Sequence, residues 1–147
     1  MIDATLIPFL PKFQCFQIAE CLQGEEREFF AKKIEELRSV ITTMPVTYQQ
    51  DELGDQAIVH LHYFYGNCHW FITEKDMEGD GTIQAYGMAD LGFGPESGYI
   101  SIEELVQSDI LIELDLHWKP ITRAEVMTKT LSGIHLPSGH GASPVLL

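Results

Sequence analysis

Three alternate residues in the run ELDLH, Glu113, Asp115 and His117, could do chemistry together. On a strand, the two-residue side-chain period puts all three on one face. Imidazole and carboxylate in one place suit zinc or iron, or serve as general acid and base. His60 and His62 alternate likewise within AIVHLHYFY. If the two polar faces coincide, His60, His62, Asp115 and His117 are the candidate metal ligands. A metal-dependent hydrolase would draw on His62, Glu113, Asp115 and His117. A solvated sheet face accounts for the same alternation, because the other face is core. Each motif is only a two-residue alternation, so the solvated face is the favoured reading.

The stretch DMEGDGTI poses a second chemical question. Asp76, Asp80 and Gly81 match positions one, five and six of a calcium loop. Glu78 stands at position three, and Gly87 stands where the bidentate glutamate belongs. The flanks FITE and IQAYG read as strands rather than helices. A wide hairpin loop explains the Asp and Gly content, because such loops need positive φ and side chains that cap their own backbone. Nucleophilic catalysis finds no nucleophile-elbow motif and no cysteine in a Cys/His signature. GFGPESG lacks the glycine spacing and the parallel-strand context of a dinucleotide loop.

The elements that must position these residues follow from periodicity. EEREFFAKKIEELRSVI, residues 25–41, carries Phe30, Ile34, Leu37 and Ile41 in one helical stripe. An earlier helix is expected over 10–22. After Pro45 a short strand and a loop are expected, then a hairpin. AIVHLHYFY and CHWFITE flank Gly66-Asn67, and a two-residue turn pairs Tyr65 with Cys68, Tyr63 with Trp70 and Leu61 with Ile72. Val59, Leu61, Tyr63, Tyr65, Cys68, Trp70 and Ile72 then form the core face. His60, His62, Phe64, His69, Phe71 and Thr73 form the other. Residues 82–90 read as a third strand and LGFGPESG as a glycine-rich loop in which Glu96 receives backbone N–H groups. Ser101 and Glu104 match a capping box ahead of a short helix. ILIELDLHW reads as a fourth strand, and Thr122 as the cap of a last helix, RAEVMTKTL. The expected fold is α+β: an antiparallel sheet of about four strands, with N-terminal helices and a short helix packed on one face. Residues 1–44 form the N-terminal helical segment packed on the sheet, 45–130 the α+β core, and 131–147 a Gly/Ser/Pro-rich tail.

The chain has 147 residues, enough for one core. Its 22 acids against 9 bases give a net charge of −13, which repels phosphate backbones and disfavours direct nucleic-acid binding. The same surface would suit a basic protein partner, or mimicry of DNA towards a host defence system. No apolar run reaches the roughly 20 residues of a membrane span. The N-terminus lacks the basic start and cleavage pattern of a signal peptide. The 3 cysteines have no framework spacing. A cytoplasmic protein is the expectation.

Three ordered blocks resemble a known family. They are Trp70, Phe71, Ile72, Glu74 and Asp76; then Glu96, Gly98, Tyr99, Ile100, Ser101, Ile102, Glu104 and Leu105; then Asp115, His117, Trp118 and Pro120. Together they are similar to an uncharacterised bacterial domain-of-unknown-function family found on plasmids, phages and integrative elements. The resemblance spans residues 45–125. It implies no established activity, cofactor or catalytic residue, and His60 and His69 fall outside its pattern. Glu74, Glu96, Glu113 and Asp115 are its acidic positions, and with Tyr99 they are the binding candidates. The leading expectation is a non-enzymatic, protein-binding accessory module of a bacterial mobile element, with no cofactor indicated and the oligomeric state left open. A metal-dependent hydrolase and a DNA-mimic inhibitor are the alternatives.

Overall fold

A computed structural model of the chain describes residues 1–131, so the expected tail lies outside the described residues beyond Leu131. Two helices lead, α1 (Lys12–Cys21) and α2 (Arg27–Thr43). The α2 stripe works as its period requires. Ile34, Leu37 and Ile41 are buried, and Phe30 is half-buried. Two short strands follow, β1 (Ile58–Val59) and β2 (Leu61–Tyr65), then β3 (Cys68–Glu74), β4 (Ala85–Asp90) and β5 (Pro95–Ile100). After α3 (Ile102–Val106) come β6 (Glu113–Leu114), β7 (Ile121–Thr122) and α4 (Arg123–Leu131).

The main sheet has five strands in the order β5-β4-β3-β2-β6, all pairs antiparallel. β1 and β7 pair separately. The β2–β3 hairpin has the register that a two-residue Gly66-Asn67 turn dictates: Tyr65 faces Cys68, Tyr63 faces Trp70 and Leu61 faces Ile72. A break at His60 separates β1 from β2 and reverses the side-chain parity. Val59 therefore leaves the face it was expected to share with Leu61, and joins Phe71, Met88 and Val126 on the opposite side.

Both faces of the sheet are covered. Leu61, Tyr63, Ile72 and Leu114 meet the N-terminal segment through Phe9, Ile18, Ile34 and Ile41. The Tyr63 hydroxyl donates to the Phe9 carbonyl at 2.6 Å, so the deeply buried phenol is satisfied. On the second face, α4 brings Val126 and Met127 against Phe71 and Met88, beside Trp118. The N-terminal helices and α3 share one face, as expected, while α4 covers the other, so the histidine face is not a solvated surface.

Three expected elements differ. The short strand expected after Pro45 is a turn followed by a 3-10 helix, Asp51–Gln56. The glycine-rich LGFGPESG is half strand: Asp90 Oδ1 accepts from Gly92 N–H at 2.9 Å and Gly94 N–H at 3.1 Å, closing a turn that launches β5 alongside β4. Glu96 is consequently an exposed strand residue opposite Ala89. The strand expected over ILIELDLHW is only β6. The side chain of Gln14, on α1, donates to the Leu114 carbonyl at 2.7 Å and accepts from Leu114 N–H at 2.9 Å. Asp115 then accepts from His117 N–H at 3.0 Å and turns the chain away. The two expected caps hold. Ser101 Oγ accepts from Glu104 N–H, and Thr122 and Glu125 cap each other at the start of α4. In the calcium-like loop, Asp76 and Asp80 accept from nearby backbone N–H groups, as wide-turn residues do, with Gly79 and Gly81 at positive φ.

Candidate functional site

Two constellations stand out. The first is a buried chain of acid and imidazoles on the α4 side of the sheet. His62 and His69 are diagonal neighbours across the hairpin, since His62 pairs with Phe71 and Phe64 with His69. His62 Nε2 lies 2.8 Å from His69 Nδ1, and His62 Nδ1 lies 3.0 Å from Asp115 Oδ2. The Phe71 ring stacks on His62 with centroids 5.0 Å apart, and the Trp118 ring lies tilted against it at 4.8 Å. Burial pulls the His62 pKa below its ordinary value, and Asp115 pulls it back up. A neutral His62 that donates from Nδ1 to Asp115 offers Nε2 as acceptor to His69. In this order Asp115 fixes the tautomer and orientation of His62, and His62 in turn holds His69.

The metal candidates are spread more widely. His62 has both ring nitrogens engaged, as above. His117 is exposed beyond the Asp115 turn, its ring 6.1 Å from that of Phe29. His60 is half-buried in the break between β1 and β2, where its N–H donates to the Ile72 carbonyl. Among the described residues, no group of three His, Cys, Asp or Glu side chains is placed to hold a metal ion. Glu113 is half-buried on β6, one residue before the Gln14 contact.

The second constellation joins Glu74 and Tyr99, and sequence reasoning missed its centre. A register shift at Thr73 turns Glu74 to the Tyr99 side of the sheet, opposite Tyr86. Glu74 is buried. Its Oε1 accepts from Tyr48 N–H and its Oε2 from Gln50 N–H, both at 2.8 Å. The Gln50 side chain then ties the turn to Ile58 and Thr73. This clamp holds Tyr48 at φ 79°, in the left-handed region that ordinary side chains avoid. The Tyr48 hydroxyl meets the Tyr99 hydroxyl at 2.7 Å, and the two side chains stay 56% and 52% exposed. Tyr48 holds the Tyr99 phenol above its usual pKa.

Around this pair opens a surface groove of about 950 Å³. Met77 and Ile83 add exposed apolar surface. Asp76, Glu78 and Glu104 line it, and among the described residues no basic one does. Aromatic faces beside carboxylates suit a cationic side chain. Of the sequence's binding candidates, Glu74 and Tyr99 fall here, and Asp76, Ser101 and Glu104 from the family-like blocks line the groove; nothing local marked Tyr48.

The molecule is thus an α+β domain built on an antiparallel five-stranded sheet. Residues 31–130 match the model of the family described as protein of unknown function DUF2958, and the chain belongs to that family. Comparison with curated proteins and with solved structures gave no match.

Proposed function

We propose that the protein is a binding module whose groove between Tyr48, Tyr99 and the 76–84 loop takes a basic segment of a partner protein. One observation carries the reading: a buried carboxylate, Glu74, holds Tyr48 in a disfavoured backbone conformation and so presents two paired, half-exposed phenols. Strain of this kind persists where the surroundings over-determine it, and it clusters at functional sites. The acidic rim and the net charge of −13 select the sign of the partner. The resemblance to a family of plasmids and phages makes an accessory role in a bacterial mobile element the natural setting. A hydrolase built on His62 would need that ring released from both Asp115 and His69, and the DNA-mimic alternative has no such single observation behind it.

The test is fluorescence anisotropy with a labelled Lys/Arg-rich peptide. Binding should weaken steeply with salt. Tyr99→Ala should lose about two- to fivefold, the worth of an exposed cation–π contact, and Glu104→Lys should lose more. A peptide that does not bind, or binds equally well to Tyr99→Ala, refutes the proposal.

A further inference from the structure

Among the described residues, β5 is the outer strand of the main sheet, hydrogen-bonded to β4 on one side only. Its six residues run from Pro95 to Ile100, and Tyr99, next to last, lines the groove. An outer strand presents a row of backbone N–H and C=O groups that a further strand can pair with. Proteins ordinarily blunt such edges with lysine, internal proline or a covering helix. Here the one proline stands at the first position, no lysine is present, and the segment Ser97-Gly98-Tyr99 has no bulky neighbour at Gly98, where an added Cβ would meet nothing within 4 Å. Arg123, at the start of α4, donates to Ser97 Oγ at 2.6 Å. At the far end, Phe93 is 96% exposed in the turn before the strand.

Two occupants could pair with this edge, and charge decides between them. A second copy would bring another chain of net charge −13 and another Glu96 against the first. A basic strand meets the opposite situation: Glu96 on the strand and Glu104, Asp76 and Glu78 at its end all attract it. We infer that the basic partner segment binds as an added strand along β5, with its backbone paired to the edge and the cationic side chains on its Tyr99 face carried into the Tyr48–Tyr99 groove. This rests on the proposed function above and adds the conformation of the bound segment. Backbone pairing supplies affinity that is indifferent to sequence, and alternate side chains supply selectivity.

An alternating Lys–Val peptide amide separates the two ideas when compared with an analogue N-methylated at alternate residues on its pairing edge. The analogue keeps the charge and loses the donors. At about a factor of five per blocked backbone hydrogen bond, two blocked donors leave the analogue more than tenfold weaker. The unmethylated peptide should also slow hydrogen exchange at β5 amides. Equal binding of both peptides overturns the strand inference and leaves the groove reading standing. Failure of both peptides to bind overturns both. If β5 amides are already protected without peptide, and the protein sediments as a dimer, the edge belongs to a second copy and the inference is overturned.

Discussion

Replacing Tyr48 by alanine and by glycine separates its backbone strain from its aromatic contact. Both variants remove the phenol and its hydrogen bond to Tyr99, so their difference isolates the left-handed backbone at φ 79°. A residue with a Cβ loses about 1–2 kcal/mol in that region. Glycine escapes this cost but loses about 0.4–1 kcal/mol through its freer unfolded chain. The balance leaves Tyr48→Gly more stable than Tyr48→Ala by about 1 kcal/mol, the reverse of the usual order in regular structure. For a chain of this size that is a shift of roughly 2–4 °C in Tm. Urea unfolding of both variants, with a common slope, reads the difference directly. Both should lose affinity for the basic peptide alike. If alanine equals or exceeds glycine, Tyr48 is not held in the left-handed region, and the account of Glu74 as a clamp fails with it.

Four further outcomes are expected. Glu74→Gln keeps one carbonyl oxygen but turns an amide donor towards a backbone N–H, and should cost about 2–3 kcal/mol in urea unfolding while weakening peptide binding; a loss below half a kcal/mol (roughly the error of a surface substitution) would contradict the clamp. His62→Phe strands the Asp115 carboxylate in the interior and should cost about 3–5 kcal/mol, most of it recovered on adding Asp115→Leu; a double-mutant cycle with additive losses would show that the two groups do not interact. Burial holds the folded-state pKa values of His62 and His60 below the ordinary 6.5, so the unfolded chain takes up protons first as pH falls. That contribution is intact above pH 6.5 and is lost progressively below it, so a denaturation midpoint that rises between neutral and mildly acidic pH would count against it. Gly87→Ala sets a Cβ 1.8 Å from the Phe71 carbonyl oxygen and should destabilise by about 1–3 kcal/mol or more; a neutral result would mean that β3 and β4 separate more easily than their pairing indicates.

How far the sequence reaches depends on how far away the deciding contact lies. The hairpin register was legible because a two-residue turn fixes it locally, and the α2 stripe and the two helix caps are equally local. The His62–His69 pairing was latent in that register, since diagonal partners follow from it, yet the alternation of His60 with His62 drew attention to the wrong neighbour. The break at His60 reverses parity, and no turn residue announces it. Asp115 and His117 part company because Gln14, 100 residues away, ends β6 at Leu114. β5 hid in a stretch rich in glycine and proline because its pairing with β4, rather than its own propensity, makes it a strand. Tyr48 was invisible for a similar reason, as its conformation is set by Glu74 on a strand 26 residues further on.

Gln14 has a wider consequence. Its amide occupies the outward N–H and C=O of Leu114 as a neighbouring strand would, so a side chain from a helix takes the place of the next strand. Among the described residues, the main sheet is therefore one-ended: β6 is closed and β5 is open. Unlimited stacking of sheets requires each molecule to offer two edges, one to receive and one to extend. A molecule with a single edge can be joined once and is then complete. Association through this sheet terminates at a pair, which confines the risk of fibre growth and fixes the stoichiometry of any strand-adding partner at one for one.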